Sequence, residues 1–329
     1  MEVLYFFESI RNPILDAIMS VLTYLGSEIA FLAFAMGVCW CFDKRRGYYL
    51  MTVGYIGVII NQFLKIMCMI PRPWVLDPNF TTVAGAQADA GGYSFPSGHT
   101  QNSTGTFGSV LTFTKKRWLR ALLIAFIVIV PITRMYLGVH TPLDVGVSLL
   151  IGGALVLALY PLFELTKKKP NLMFYLLGGF FAISILFTVF ALVYPFPAEI
   201  DAENLYELRK NAFTLLGATG GVFVFYPIEK KFINFDEKAT PWGQVVKLVF
   251  GVALVMAVKE GLKAVFVLIA GEEALWMRSI RYFAVVAVAM AVVPIFFKYF
   301  KNIGQKRFKT ENTKKDNCLR SCHNGYFEK

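Results

Sequence analysis

Apolar stretches long enough to cross a lipid bilayer recur from one end of this chain to the other. No other feature constrains its fold as strongly. A spanning helix needs about 20 predominantly apolar residues, and only a helix or a closed barrel satisfies its own backbone inside hydrocarbon. Such runs fall at roughly residues 27–42, 48–69, 99–114, 119–136, 143–165, 171–194, 211–227, 247–270 and 280–298. The chain is 56% hydrophobic over its 329 residues, above the usual share for a soluble domain. The sequence therefore predicts an all-α fold, a polytopic membrane helix bundle of about nine spans.

Charge orders the connections between the runs. Lys44-Arg45-Arg46, Lys115-Lys116-Arg117, Lys167-Lys168-Lys169, Lys230-Lys231 and the segment from Lys298 fall at alternate connections. The intervening connections, 70–98, 137–142, 195–210 and 271–279, are neutral or acidic. Basic loops stay in the cytoplasm, so the N-terminus is expected outside the cell membrane and the C-terminus in the cytoplasm. The net charge of +11 is thus a loop pattern. It is not a nucleic-acid stripe, and no nucleic-acid partner is expected. Cys39, Cys41 and Cys68 lie in or beside apolar runs, while Cys318, Cys322 and His323 lack a metal-site spacing. Neither disulfides nor a metal or other cofactor are expected. The N-terminus has no basic leader region, and Glu8, Arg11 and Asp16 interrupt its apolar character. It reads as an amphipathic segment at the interface.

Polar residues break the pattern in three places, all at the expected outer ends of the first five spans. The first place is Lys65 followed by Arg72-Pro73. A cation on an apolar face needs a partner, a ligand or a route to the interface. The second is Tyr93-Ser94-Phe95-Pro96-Ser97-Gly98-His99-Thr100. Ser97 is a candidate N-cap there, and Gly98 lets a ligand approach the backbone of a helix start, where free N–H groups and the dipole favour an anion. The third is Thr133-Arg134, then His140, then Asp144. Thr141-Pro142-Leu143-Asp144 reads as a helix start in which Asp144 closes a capping box. An acid four residues after His140 can also orient its ring. Three cations, a helix start and two histidines suit phosphoryl transfer, with the cations on the phosphate oxygens and the histidines as nucleophile and acid. Too few carboxylates lie nearby to build a two-metal centre.

Lys65-x6-Arg72-Pro73, Pro96-Ser97-Gly98-His99 and Arg134-x5-His140-x3-Asp144 resemble the three-part signature of the type 2 phosphatidic acid phosphatase (PAP2) superfamily, here of a bacterial-type integral membrane lipid phosphatase. Its members include lipid phosphate phosphatases, undecaprenyl-diphosphate phosphatases, glucose-6-phosphatase and soluble vanadium haloperoxidases. The resemblance covers about residues 27–165. Thr133 stands where many members have Ser, and Thr141 where an aromatic residue often follows the histidine. The resemblance implies that His140 is the nucleophile, Asp144 its orienting partner and His99 the acid for the leaving group. Lys65, Arg72, Ser97, Gly98 and Arg134 would bind the phosphate without a metal.

The expected organisation is a PAP2-type catalytic core over residues 1–166, additional transmembrane helices over 167–303, and a polar cytoplasmic tail over 304–329. A short helix before residue 27 would supply the sixth helix of the core. Within the eighth run, Lys259 and Lys263 share a face, and Glu260 is expected to pair with Lys263, as an internal ion pair or as part of a headgroup cavity. The resemblance implies a metal-independent phosphatase acting on a lipid phosphate or diphosphate at the extracytoplasmic face through a phosphohistidine. The alternatives are a soluble phosphate ester as substrate, headgroup transfer between lipids, or a non-catalytic transporter or scaffold. The expected partners are the lipid phosphate substrate and membrane lipids; the sequence sets no oligomeric state.

Overall fold

The computed structural model describes residues 1–303 apart from 89, 272 and 273. The tail with Cys318, Cys322 and His323 lies outside the described residues. Helices follow one another in the order α1 (Glu2–Ser9), α2 (Pro13–Thr23), α3 (Glu28–Cys41), α4 (Lys44–Cys68), α5 (Pro73–Leu76), α6 (Gly98–Phe113) and α7 (Arg117–Tyr136). Next come α8 (Pro142–Leu165), α9 (Leu172–Val193), α10 (Ala202–Ile228), α11 (Pro241–Ala270), α12 (Trp276–Ala287) and α13 (Val293–Phe300). No strand occurs among the described residues.

Every expected apolar run is a helix, but not every helix has the length and composition of a span. Six helical stretches do: Lys44–Leu76, Arg117–Tyr136, Pro142–Leu165, Leu172–Val193, Ala202–Ile233 and Trp276–Phe300. The segments Pro13–Gly26 and Glu28–Cys41, bent by 49° at their junction, form a seventh if taken as one span. α6 has only 16 residues and buries Thr100, Gln101, Ser103, Thr104, Thr106 and Ser109. α11 is 30 residues long and carries Lys247, Lys259, Glu260 and Lys263. α6 falls short by length and is packed among α3, α4, α7 and α8. Glu260 departs from expectation as well. Its partner is Lys259 at 3.0 Å, and its side chain is 55% exposed, so the internal Glu260–Lys263 pair is not formed.

The N-terminal helices pack on the protein. Arg11 donates through Nε and Nη2 to the Tyr136 carbonyl at 3.1 and 3.0 Å, and through Nη1 to the Thr81 carbonyl at 2.8 Å. Tyr5 donates to Asp77 at 2.7 Å, and the Thr81 N–H donates to Glu8 at 3.0 Å. Tyr136 donates to Asp16 at 2.7 Å. α1 and α2 thus clamp the 77–83 loop to the end of α7.

Small residues bring the helices of the second half together. A Cβ on Gly217 of α10 would stand 2.1 Å from the Ser279 carbonyl oxygen of α12, and one on Gly221 2.8 Å from Val286. Without Cβ atoms the two backbones approach closely, which is how apolar helices gain packing where lipid offers no hydrophobic drive. At the basic end, Lys44 pairs with the buried Glu229 at 2.7 Å, tying α4 to the end of α10.

Candidate active site

α4 ends where Met69 takes a left-handed turn, φ 48°, and its N–H donates to the Lys65 carbonyl at 3.1 Å. That turn leaves Lys65 on the last buried face of the helix, 8% exposed, with its ammonium donating to the Tyr93 carbonyl. Just beyond the turn, Ile70 accepts a hydrogen bond from the Ser94 N–H at 2.8 Å, which anchors the motif loop beside α4. Arg72 is the N-cap of α5 and is 6% exposed. Its guanidinium donates to the carbonyls of Gly91, Gly92 and Val139, each at 2.9 Å. Pro73 at the first helical position fixes φ and has no N–H to leave unpaired, so the tight turn costs little.

The second motif is held by α4 from behind. Asn61, one turn before Lys65, donates to the Pro96 carbonyl at 3.2 Å and to Gln101 at 3.1 Å, and Gln101 in turn donates to the Gly57 carbonyl at 2.7 Å. Ser97 is the N-cap of α6, its hydroxyl accepting from the Thr100 N–H at 3.4 Å. His99 lies in the first turn of that helix. Its carbonyl abuts Gly26, where a Cβ would stand 2.6 Å from the oxygen. The turn between α2 and α3 thus sets how deep His99 sits.

The third motif closes the site. Thr141 caps α8 in a reciprocal box: its hydroxyl accepts from the Asp144 N–H at 3.3 Å, and Asp144 Oδ2 accepts from the Thr141 N–H at 2.7 Å. The same Oδ2 accepts from the Ser94 hydroxyl at 2.6 Å. Asp144 is 1% exposed, and Oδ1 has no hydrogen-bond partner. His140 Nδ1 lies 3.5 Å from Oδ2, an ion-pair distance too long for a hydrogen bond. The carboxylate therefore acts first as cap and loop anchor and faces the ring at slightly longer range. Arg72 Nη1 lies 3.1 Å from Nε2 and 3.5 Å from Nδ1. An arginine only donates, so with Nε2 the nearer acceptor the ring proton is placed on Nδ1, the nitrogen that faces Asp144. Burial holds the His140 imidazole well below its usual range, and Arg72, Arg134, Lys65 and His99 push it the same way.

Arg134, 2% exposed in the last turn of α7, donates to Thr23 at 3.0 Å. Arg134, Arg72 and Lys65 all lie within electrostatic range of both His99 and His140. The expected residues of all three motifs therefore converge on one buried cluster. Its supports go beyond the residues that sequence reasoning singles out. Ser94, fully buried within the motif stretch, holds Asp144. Asn61 carries a usable signal, a polar residue one helical turn from Lys65 inside an apolar run. Thr23 and Gly26 carry none, because only tertiary contact brings them near. Among the described residues, no group of three or more His, Cys, Asp or Glu side chains is placed to hold a metal ion. The arrangement can hold a tetrahedral anion among cations and helix-start N–H groups, with an imidazole nitrogen on it.

The chain is similar to several known proteins. A family profile described as the PAP2 superfamily matches residues 46–168. A second, described as the PAP2 superfamily phosphatase transmembrane extension, matches residues 213–306. Undecaprenyl-diphosphatase BcrC of Bacillus subtilis is 30% identical over 43% of this chain and 71% of its own length. Sphingosine-1-phosphate phosphatase 2 of Mus musculus is 25% identical over 66% of this chain, which spans 59% of that relative's length. A crystal structure of Aquifex aeolicus LpxE is 24% identical over 48% of this chain and 92% of its own, with a TM-score of 0.43.

Proposed function

Because the chain belongs to the PAP2 superfamily, we propose that it is a membrane phosphatase that removes phosphate from a lipid phosphate or diphosphate at the extracytoplasmic face. The observation that carries this reading is the His140 ring, held between Arg72 at 3.1 Å and Asp144 at 3.5 Å. That setting leaves Nε2 as a neutral nucleophile. Two relatives are named for sphingosine 1-phosphate and undecaprenyl diphosphate, both lipid phosphates, which supports a lipid substrate.

In the mechanism we infer, Lys65, Arg72, Arg134, the Ser97 hydroxyl and the Gly98 N–H bind the phosphate oxygens that do not react. His140 Nε2 attacks phosphorus, a P–N bond forms, and the P–O bond to the leaving group breaks. His99 gives its proton to the departing oxygen. The proton on His140 Nδ1 stays beside Asp144, whose charge stabilises the phosphoimidazolium. Water then attacks phosphorus with His99 as base, and the P–N bond breaks. Charge is handled by the three cations, so no metal has a role. In this reading residues 1–166 form the catalytic core and residues 167–303 a membrane extension.

Purified protein incubated with phosphatidic acid, phosphatidylglycerol phosphate, undecaprenyl diphosphate and a sugar phosphate is expected to release phosphate from a lipid substrate. Turnover should persist in EDTA and stop in vanadate. His140→Ala should abolish turnover of every substrate. His99→Ala should abolish turnover of alkyl phosphates yet form an acid-labile phosphoenzyme from an activated aryl phosphate, whose leaving group needs no proton. Rescue of His140→Ala by the aryl substrate, without rescue of His99→Ala, would reverse the two roles. Phosphate release from the sugar phosphate alone would remove the lipid assignment.

A further inference from the structure

Four cations meet at the same end of the bundle as the catalytic cluster, but on the other side of α10. Asn204, Glu207 and Leu208 of α10 line a small cavity together with Lys65 and the Gly91–Tyr93 backbone. Tyr206 and Lys210 of the same helix line a second cavity, of about 210 Å³, with Lys263 of α11 and Met277, Arg278 and Arg281 of α12. Lys263 is the residue left over from the charged interruption of α11, since Glu260 is taken by Lys259 at 3.0 Å.

Among the described residues, the cations lining this second cavity outnumber the carboxylates in contact with them, and Glu260 on α11 faces Lys263 and Arg281 only at longer range. Among the described residues, Lys210 pairs with Glu207, but no carboxylate pairs with Lys263, Arg278 or Arg281. Glu272 and Glu273 lie outside the described residues. Arg278 donates through Nε to Thr214 at 3.2 Å, which turns its guanidinium without neutralising it. Arg281 is 6% exposed, its Nε has no hydrogen-bond partner, and its guanidinium lies 5.1 Å from the Tyr282 ring centre. A buried guanidinium with unused donors is costly unless an anion completes it. Arg278 and Arg281, three residues apart on one helix face, offer forked donors, and Lys263 offers a point charge. This set fits an anion with several acceptor oxygens and more than one negative charge.

We propose that this cavity is a second phosphate site, distinct from the catalytic cluster, which binds a phosphate group carried by a lipid headgroup or free in solution. Its place in the extension, across one helix from Lys65, gives the second half of the chain a binding role beside the proposed reaction.

The test uses full-length protein in phosphatidylcholine nanodiscs, carrying His140→Ala so that a probe lipid is not consumed. Met277→Cys places a thiol on the cavity wall, and its rate of maleimide modification is read by peptide mass spectrometry. One arm adds inorganic phosphate, and the other replaces part of the phosphatidylcholine with phosphatidic acid. Slowing by about tenfold or more is expected in at least one arm. Slowing by phosphate identifies a site for the free anion, and slowing only by phosphatidic acid identifies a headgroup site. Arg281→Gln should remove the protection, and Lys263→Gln, at an exposed position, should weaken it even if the first variant folds poorly. Labelling slowed by neither probe, or protection unchanged in both variants, overturns the site. The readout does not depend on turnover, so it stands or falls separately from the phosphatase reading.

Discussion

His140 is poised by what its two nitrogens face. Nε2 faces the Arg72 donor, and Nδ1 faces Asp144, whose Oδ2 is pinned by Ser94 and Thr141. Ser94→Ala would leave that carboxylate with one anchor in place of two. A hydrogen bond to a charged group contributes about 1.5–3 kcal/mol, so kcat should fall roughly tenfold or more with KM little changed, and Ser94→Thr should restore most of it. Unaltered kcat would mean that the Thr141 N–H alone positions Asp144. The ring also sets a pH limit. Its pKa is pushed below the usual histidine value by burial first and by the neighbouring cations next. The neutral form, the nucleophile of the proposed mechanism, therefore persists below about pH 6.5. The acid limb of kcat/KM, which reports the free enzyme, should accordingly lie below that pH. The same depression makes the folded protein favour the neutral ring, so its contribution to stability is present above about pH 6.5 and lost as pH falls toward the folded value. An acid limb above about pH 6.5 would mean that another group gates the reaction.

At the scale of elements, each motif depends on a helix that does not contain it. α4 supports the second motif through Asn61, and the α2–α3 turn seats His99 through Gly26. A Cβ on Gly26 would meet the His99 carbonyl oxygen at 2.6 Å and Val130 Cγ1 at 2.9 Å, so its nearest obstacle is backbone. Gly26→Ala should therefore push α6 away, at a cost of about 1–3 kcal/mol. In the proposed mechanism alkyl phosphates rely on a proton from His99, so their turnover should fall more than aryl phosphate turnover. Equal losses on both substrates with an unchanged melting temperature would mean that the turn does not set the depth of His99.

At the scale of the whole molecule, the polar site gathers at one end of the bundle and the basic loops at the other. Lys44 and Arg45 pair with Glu229 and Glu164 at the basic end. The 77–83 loop, the N-terminal clamp and both cation clusters occupy the opposite end. If charge fixes orientation, single cysteines in the 77–87 loop should react with an impermeant thiol reagent in intact cells, and cysteines beside Lys115 only after lysis. The opposite labelling would put the site in the cytoplasm.

Local physics makes much of this legible in the sequence by itself. Apolar length determines the helices, because backbone groups in hydrocarbon must pair within the segment. The caps at Ser97 and Thr141 are readable because an N-cap is a contact over three residues. The polar residues of the three motifs stand out as expensive exceptions in apolar surroundings. Tertiary structure alone decides the rest. Sequence distance hides Gly26 from His99 and Thr23 from Arg134. Asp144 is bound first by Ser94, fifty positions away. Glu260 turns to its neighbour Lys259 and leaves Lys263 facing the second cavity. Which partner a charge takes depends on what the neighbouring helices leave within reach, and periodicity along one helix carries no record of its neighbours.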